Sequence, residues 1–236
     1  MLLKAASFAT PEENLLYDEV LLRLANQGRS GEALRFWESE HVFIVLGRLG
    51  RLDRDVRRQI TRKDGVPVFR RASGGGTVVQ GPGCLNYTLI LSKERPEVAD
   101  LRRSYQFILG KLINVLSGLG VEAAFWPISD MAVRGTQKKF SGNAQKRGRR
   151  FILHHGTILY CFDLTLIERY LTMPDDMPAY RQHRRHRDFV TNVPINPQAF
   201  CSEVGRCFGV ERTQKELSPQ EKTELAALKR GGAYLP

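Results

Sequence analysis

The stretch Arg70-Arg71-Ala72-Ser73-Gly74-Gly75-Gly76-Thr77-Val78-Val79 restricts this chain more than any other. Glycine lets the backbone take positive φ and come close to a ligand. Pro67-Val68-Phe69 lies before the run and a β-branched run follows it. The pattern predicts a tight loop between two strands. Its amides would face a ligand, with the arginines supplying charge suited to phosphate or carboxylate. A plain hairpin turn with two surface arginines fits the same residues. Known glycine fingerprints do not fit. A P-loop needs a lysine that is missing here, and a dinucleotide-binding loop opens a helix. The sixth position from Gly74 is Val79, which reads as strand. A nucleotide held here would sit on another fold.

The rest of the chain predicts strands and helices in mixed order. Thr10-Pro11-Glu12-Glu13 is a helix start, and Leu16, Val20 and Leu24 form one buried face ending near Gly28. Asn14, Asp18 and Glu19 on that helix read as a solvated face. Residues 34–37 and 42–46 read as two strands of a hairpin, and 53–63 as a short charged helix. Residues 85–91 read as a strand after the turn Gln80-Gly81-Pro82-Gly83. A core helix spans 97–119, and strands are predicted at 121–126 and 131–133. Residues 164–171, 197–208 and 218–228 read as helices. Residues 174–187 are polar, basic and rich in loop signals, and the run 181–187 within them reads as an exposed mobile loop and not as a metal site. Strands mixed with helices in this way suggest an α+β or mixed α/β fold, not a doubly wound parallel sheet.

The length of 236 residues supports one substantial core. Lys139 holds our attention within Lys138-Lys139-Phe140-Ser141-Gly142. In an extended segment Lys139 and Ser141 share one face and Phe140 takes the other. Phe140 would anchor the core while Lys139 faces a cavity. The net charge of +11 suits nucleic acid, a membrane surface or an acidic protein. Aromatics are not interleaved with the basic runs, so single-strand stacking is not indicated. No apolar run approaches a membrane span, and the opening Met1-Leu2-Leu3-Lys4 predicts no signal peptide. Cys84, Cys161, Cys201 and Cys207 form no Cys-x-x-Cys pair and sit in apolar settings. They read as reduced thiols of a cytoplasmic protein.

Three ordered motifs carry a resemblance: the glycine loop, Lys139-Phe140-Ser141-Gly142-Asn143-Ala144, and His154-His155-Gly156-Thr157-Ile158-Leu159 with Asp163-Leu164. Together they resemble the lipoate–protein ligase branch of the biotin/lipoate ligase superfamily. Asn14 to Glu19, Ser129-Asp130 and Val190-Thr191-Asn192-Val193 are similar to further family segments. The likeness covers roughly residues 10–210. It implies a class II synthetase-like α+β fold, a mixed and largely antiparallel sheet with flanking helices. It also implies a catalytic domain over 1–212, followed by a helical tail over 213–236 with no full accessory domain.

The resemblance further implies a two-step reaction. Lipoate and ATP give lipoyl-AMP, and the acyl group then passes to a lysine of a lipoyl carrier domain. That carrier would be of the 2-oxoacid dehydrogenase E2 or glycine-cleavage H-protein type. Lys139 would be the catalytic cation. Arg71, Gly76, Thr77, Val78, Val79 and Asp130 would hold the nucleotide. Arg70, Ser73, Gly74, Gly75, Ser141, Gly142, His155 and Gly156 would border the acyl substrate. His155 fits a buried structural role equally. Magnesium would accompany the triphosphate, without a protein metal cage. Neither nucleic acid nor membrane is implied as a partner. A separate accessory subunit would be one way to supply the missing domain.

Two departures matter. Gln80-Gly81-Pro82-Gly83 is closer to the octanoyltransferases, a sister branch that carries the acyl group on a cysteine. Their cysteine segment matches Ala123 to Ser129 here, where alanine replaces the nucleophile. Cys84 is the substitute to weigh, and packing is its ordinary role. An octanoyl- or lipoyl-transferase working without its own ATP activation is therefore the alternative. A biotin ligase is disfavoured by the missing arginine–glycine tract.

Overall fold

The computed structural model describes residues 1–231. Strand β1 (Leu2–Lys4) is followed by helix α1 (Pro11–Asn26), then β2 (Ala33–Trp37) and β3 (Phe43–Leu46). Next come the short helices α2 (Leu52–Asp55) and α3 (Arg58–Lys63), then β4 (Val68–Arg70), β5 (Val78–Gln80) and β6 (Cys84–Ser92). Helix α4 (Leu101–Gly118) precedes β7 (Ala123–Trp126), β8 (Asp130–Val133), β9 (Lys139–Arg147) and β10 (Phe151–Leu159). The remainder is α5 (Thr165–Tyr170), α6 (His186–Phe189), α7 (Pro197–Cys207), β11 (Arg212–Gln214) and α8 (Pro219–Arg230).

Eight strands make the main sheet, in the order β11-β1-β2-β6-β10-β9-β8-β7. Only β1 pairs in parallel, with β2 and β11; the other ladders are antiparallel. A smaller sheet, β4-β3-β5, carries the glycine loop between β4 and β5. The α+β class with a largely antiparallel sheet is what the structure has.

Period-two alternation fixes which helices lie on which face. Leu85, Tyr87, Leu89 and Leu91 of β6 join Ile152 and Phe140 in a core under α4 and α7. Ile90, Leu153 and Ala33 point the other way and pack beneath α1 and α8. Thr10 caps α1 by accepting from the Glu13 amide, and Pro11 occupies the first helical position. Helix α8 opens with a capping box, Ser218 with Glu221, and Glu221 forms a buried pair with Lys4 at 2.5 Å. No helix among the described residues is long and apolar enough to cross a membrane.

Several expectations change. The predicted hairpin of 34–37 and 42–46 does not form. β2 pairs with β6 in the main sheet, whereas β3 belongs to the small sheet between β4 and β5. Both segments are apolar enough for burial, and apolarity alone does not choose a pairing partner. The predicted helix over 53–63 is two pieces, broken where Val56 bridges Leu171. Residues 174–187 are not simply exposed: Tyr180, Arg181 and His186 are buried there. Asn14, Asp18 and Glu19 are buried too, not solvated. Cys161 is exposed, so only part of the cysteine set is packed away.

Candidate functional site

Antiparallel register lays a polar row across the face of the sheet that α1 covers. Arg35 of β2 stands opposite Thr88 of β6, which stands opposite His155 of β10, which stands opposite Ala144 of β9. Residues of α1 four apart close over this row. Asp18 takes a 2.7 Å ion pair from Arg35 and a 2.8 Å hydrogen bond from the Thr88 hydroxyl. Asn14 accepts from Arg35 through both its backbone and side-chain oxygens. Burial alone would raise the Asp18 pKa, but Arg35, His155 and Thr88 together hold it below the ordinary value.

His155 joins this row to the glycine loop. Its Nε2 lies 2.6 Å from Ser73 Oγ, and its Nδ1 lies 3.8 Å from Asp18. A narrow cavity of about 10 Å³ opens here between Leu15, Asp18, Glu19, Ser73, Lys146 and His155. In this structure it has room for about one water molecule, and most of the residues lining it are polar. The larger hollow, about 390 Å³, lies between α4 and α7 and contains none of the predicted site residues.

The glycine loop is held by its own arginines. Arg70 donates to the carbonyls of Gly47, Arg48 and Gly50. Arg71 donates to the carbonyls of Val45, Gly74 and Gly76 and to Ser73 Oγ. Burial pulls the Arg71 pKa down to about 10, which still leaves it charged at neutral pH. Neutral oxygens satisfy its donors without cancelling that charge, so the loop keeps an attraction for anions. Gly75 has φ of 87°, which disfavours any side chain there, and its carbonyl abuts Gly47 so closely that position 47 admits none. Gly74 and Gly76 face open space. The Val78 and Val79 backbone is partly taken up by pairing with β3, and the Thr77 hydroxyl donates to Asp55.

Lys139 begins β9. Phe140 is fully buried in the core and Lys139 remains partly exposed, as expected, but a register shift against β8 breaks the simple alternation and Ser141 is buried beside Asn143. A β-carbon built at Gly142 would lie 3.1 Å from Lys139 Nζ. One built at Gly75 would lie 3.8 Å from the Ala144 methyl. Gly142 and Ala144 are two apart on one strand, so they share a face and are separated by roughly 7 Å. The amine and the glycine bend therefore overhang one surface. Asp130, paired across from Gly142, accepts from Lys139 Nζ at 2.8 Å.

Ser141 and Gly156 have supporting contacts. The Asn143 amide donates to Ser141 Oγ at 3.2 Å and to the Ser129 carbonyl at 2.7 Å. Asn143 Oδ1 accepts from Tyr87 and fills the space a side chain at Gly156 would need. Arg35, Asn143 and Tyr180, which donates to Asp130 at 2.7 Å, escaped the sequence reading. Asn143 lies inside a recognised motif and was within reach. Arg35 and Tyr180 gain their place only from tertiary pairing.

The family profile described as the lipoyl protein ligase A/B catalytic domain matches residues 10–202. A Mycoplasma pneumoniae protein bearing the name lipoate-protein ligase A is 32% identical over 69% of this chain and 46% of its own length. An Aeropyrum pernix protein of the same name is 31% identical over 95% of this chain and 79% of its own. Octanoyltransferase LipM of Brevibacillus brevis is 24% identical over 90% and 88%. The chain spans about half the length of the first curated relatives it matches. In fold it is similar to the Thermoplasma acidophilum structure of a bipartite lipoate protein ligase and its E2 lipoyl domain. That match has a TM-score of 0.79 at 20% identity, over 96% of this chain and 90% of the other.

Proposed function

The chain belongs to the lipoyl protein ligase A/B catalytic-domain family, and on that premise we propose that it activates lipoate with ATP and transfers the lipoyl group to a lysine of a lipoyl carrier domain. The observation that carries this reading is the shared overhang of Lys139 Nζ and the Gly75 bend above β9. Attack of a carboxylate on the α-phosphorus gathers negative charge between the two reactants. Transfer to an amine gathers it again on the tetrahedral carbon. An ammonium at position 139 stabilises both transition states. Arg71 adds a fixed positive field beneath the loop, and the open space over Gly74 and Gly76 leaves room for a ligand. The Ser73–His155–Asp18 row lies next to the glycine loop, on the side where the acyl chain would approach.

Among the described residues no three His, Cys, Asp or Glu side chains cluster to hold a metal. Magnesium would therefore be carried by the triphosphate, screening its charge. The carrier would be of the E2 or H-protein type, by likeness to the neighbour solved with an E2 lipoyl domain. That neighbour is bipartite, which supports assaying this chain with and without a second subunit.

The thioester route finds less support. Ala124 stands where octanoyltransferases of one subgroup place cysteine. Cys84 is buried, and burial pushes its thiol up to about 12, so it supplies no thiolate at neutral pH. The deciding assay supplies lipoate, Mg-ATP and an E2 lipoyl domain, and follows pyrophosphate and carrier mass. Pyrophosphate release with carrier lipoylation is expected. Carrier modified only from an acyl-thioester donor, with no pyrophosphate, would replace this reading by the transferase one.

A further inference from the structure

Tyr180 has an arrangement that the reaction as described does not use. It lies in the segment between α5 and α6. Its ring stacks on Trp126, with centroids 4.8 Å apart at 22°, and tilts against Phe189 at 5.2 Å. Trp126 pairs directly with Asp130 across the β7–β8 hairpin. One hairpin therefore fixes both the surface the ring rests on and the carboxylate its hydroxyl reaches. The hydroxyl donates to Asp130 Oδ2 at 2.7 Å, while Oδ1 takes the Lys139 ammonium at 2.8 Å. The segment is tied down nearby. Arg184 donates to the Tyr180 carbonyl at 2.8 Å, and the Thr191 amide donates to the Lys139 carbonyl at 2.9 Å.

We propose that Tyr180 is a positioning residue for Lys139, acting through Asp130. The proposal rests on reading Lys139 as the acyl-transfer cation. A phenylalanine would stack on Trp126 equally well, so packing does not account for the hydroxyl. Asp130 is 7% exposed, and each of its oxygens has one of the two partners named above. Remove the phenol and Oδ2 is left unpaired in a nearly closed place, which costs about 1–3 kcal/mol for a buried acceptor. The carboxylate then turns or seeks water, and the lysine loses its fixed partner. A four-carbon stem with a point charge needs such a partner to stay in place. Misplacement of a charge by an ångström weakens transition-state stabilisation steeply.

Full-length Tyr180→Phe, Asp130→Asn and the double variant test this. In Tyr180→Phe, kcat is expected to fall about tenfold while KM for lipoate and ATP stays within about twofold. The double variant should be no slower than Asp130→Asn alone. A second readout does not depend on turnover: trace labelling of amines with acetic anhydride, followed by peptide mass mapping. Tyr180→Phe should raise Lys139 labelling about threefold or more, and should add nothing in the Asp130→Asn background. Wild-type labelling in Tyr180→Phe, or losses that multiply in the double variant, would overturn the proposal. If the wild-type chain forms no adenylate and transfers no acyl group, the functional reading falls, and the labelling result alone decides the role of Tyr180.

Discussion

Two charged clusters stand over the same face of the main sheet and are built in opposite ways. Arg35, Asp18, Asn14 and Thr88 are sealed beneath α1, with Arg35 fully buried. Lys139 sits at the rim, where its side chain keeps 29% of its surface, while its partner Asp130 is buried beside it. A sealed ion pair is satisfied on every side and cannot change partners, so it serves architecture. A cation at the rim can be held by its carboxylate and still face an incoming anion. The contrast divides the charges of this cleft into those that hold it and those available to act in it.

The division breaks or sharpens by measurement. Arg35→Met strands Asp18 in a dry site and should cost about 3–5 kcal/mol of unfolding free energy, read from urea denaturation. A loss under about 1 kcal/mol would mean that the sealed cluster is not architectural. Lys139→Ala should lower carrier lipoylation by about 10²–10³-fold. Its urea midpoint should fall less than that of Arg35→Met, because the lysine is partly exposed and only Asp130 Oδ1 loses its partner. Near-normal lipoylation in that variant would remove Lys139 from the chemistry.

Acid separates the two clusters further. The folded-state pKa of Asp18 lies below its unfolded value, because Arg35, His155 and Thr88 outweigh burial. Its stabilisation is therefore complete above the unfolded value and is lost as pH falls through the folded one. Asp18→Asn should flatten the acid limb of the stability curve, and an unchanged limb would place the acid sensitivity elsewhere. The smallest effect concerns docking. With a net charge of +11, KM for an acidic carrier domain should rise a few-fold between low and high salt. A KM indifferent to salt would argue against a charge-guided encounter.

The sequence made the local parts legible and left the distant pairings hidden. Thr10 and Pro11 announced α1, and the parity of Lys139 and Phe140 told which side chain enters the core, because both signals lie within a few residues. The glycine loop was visible because it is contiguous. Asn14, Asp18 and Glu19 look like surface decoration until β2 brings Arg35 and β9 brings Lys146 against them. Tyr180 sits in a run of arginines that reads as solvent-facing. Only its stacking on Trp126, more than fifty positions earlier in the chain, turns it inward. β2 and β3 looked like neighbours because they are adjacent in sequence, yet each found a better partner far along the chain.

The glycine triplet is not uniform. At 75 the backbone twist and the Arg71 guanidinium 2.8 Å away oppose any substituent, whereas at 74 an added methyl meets no atom within 4 Å. Two adjacent letters of the same kind thus differ in freedom: one is an obligation of the fold, the other a vacancy that mutation can furnish. A library meant to decorate this bend has its natural starting place at the second, and should leave the first untouched.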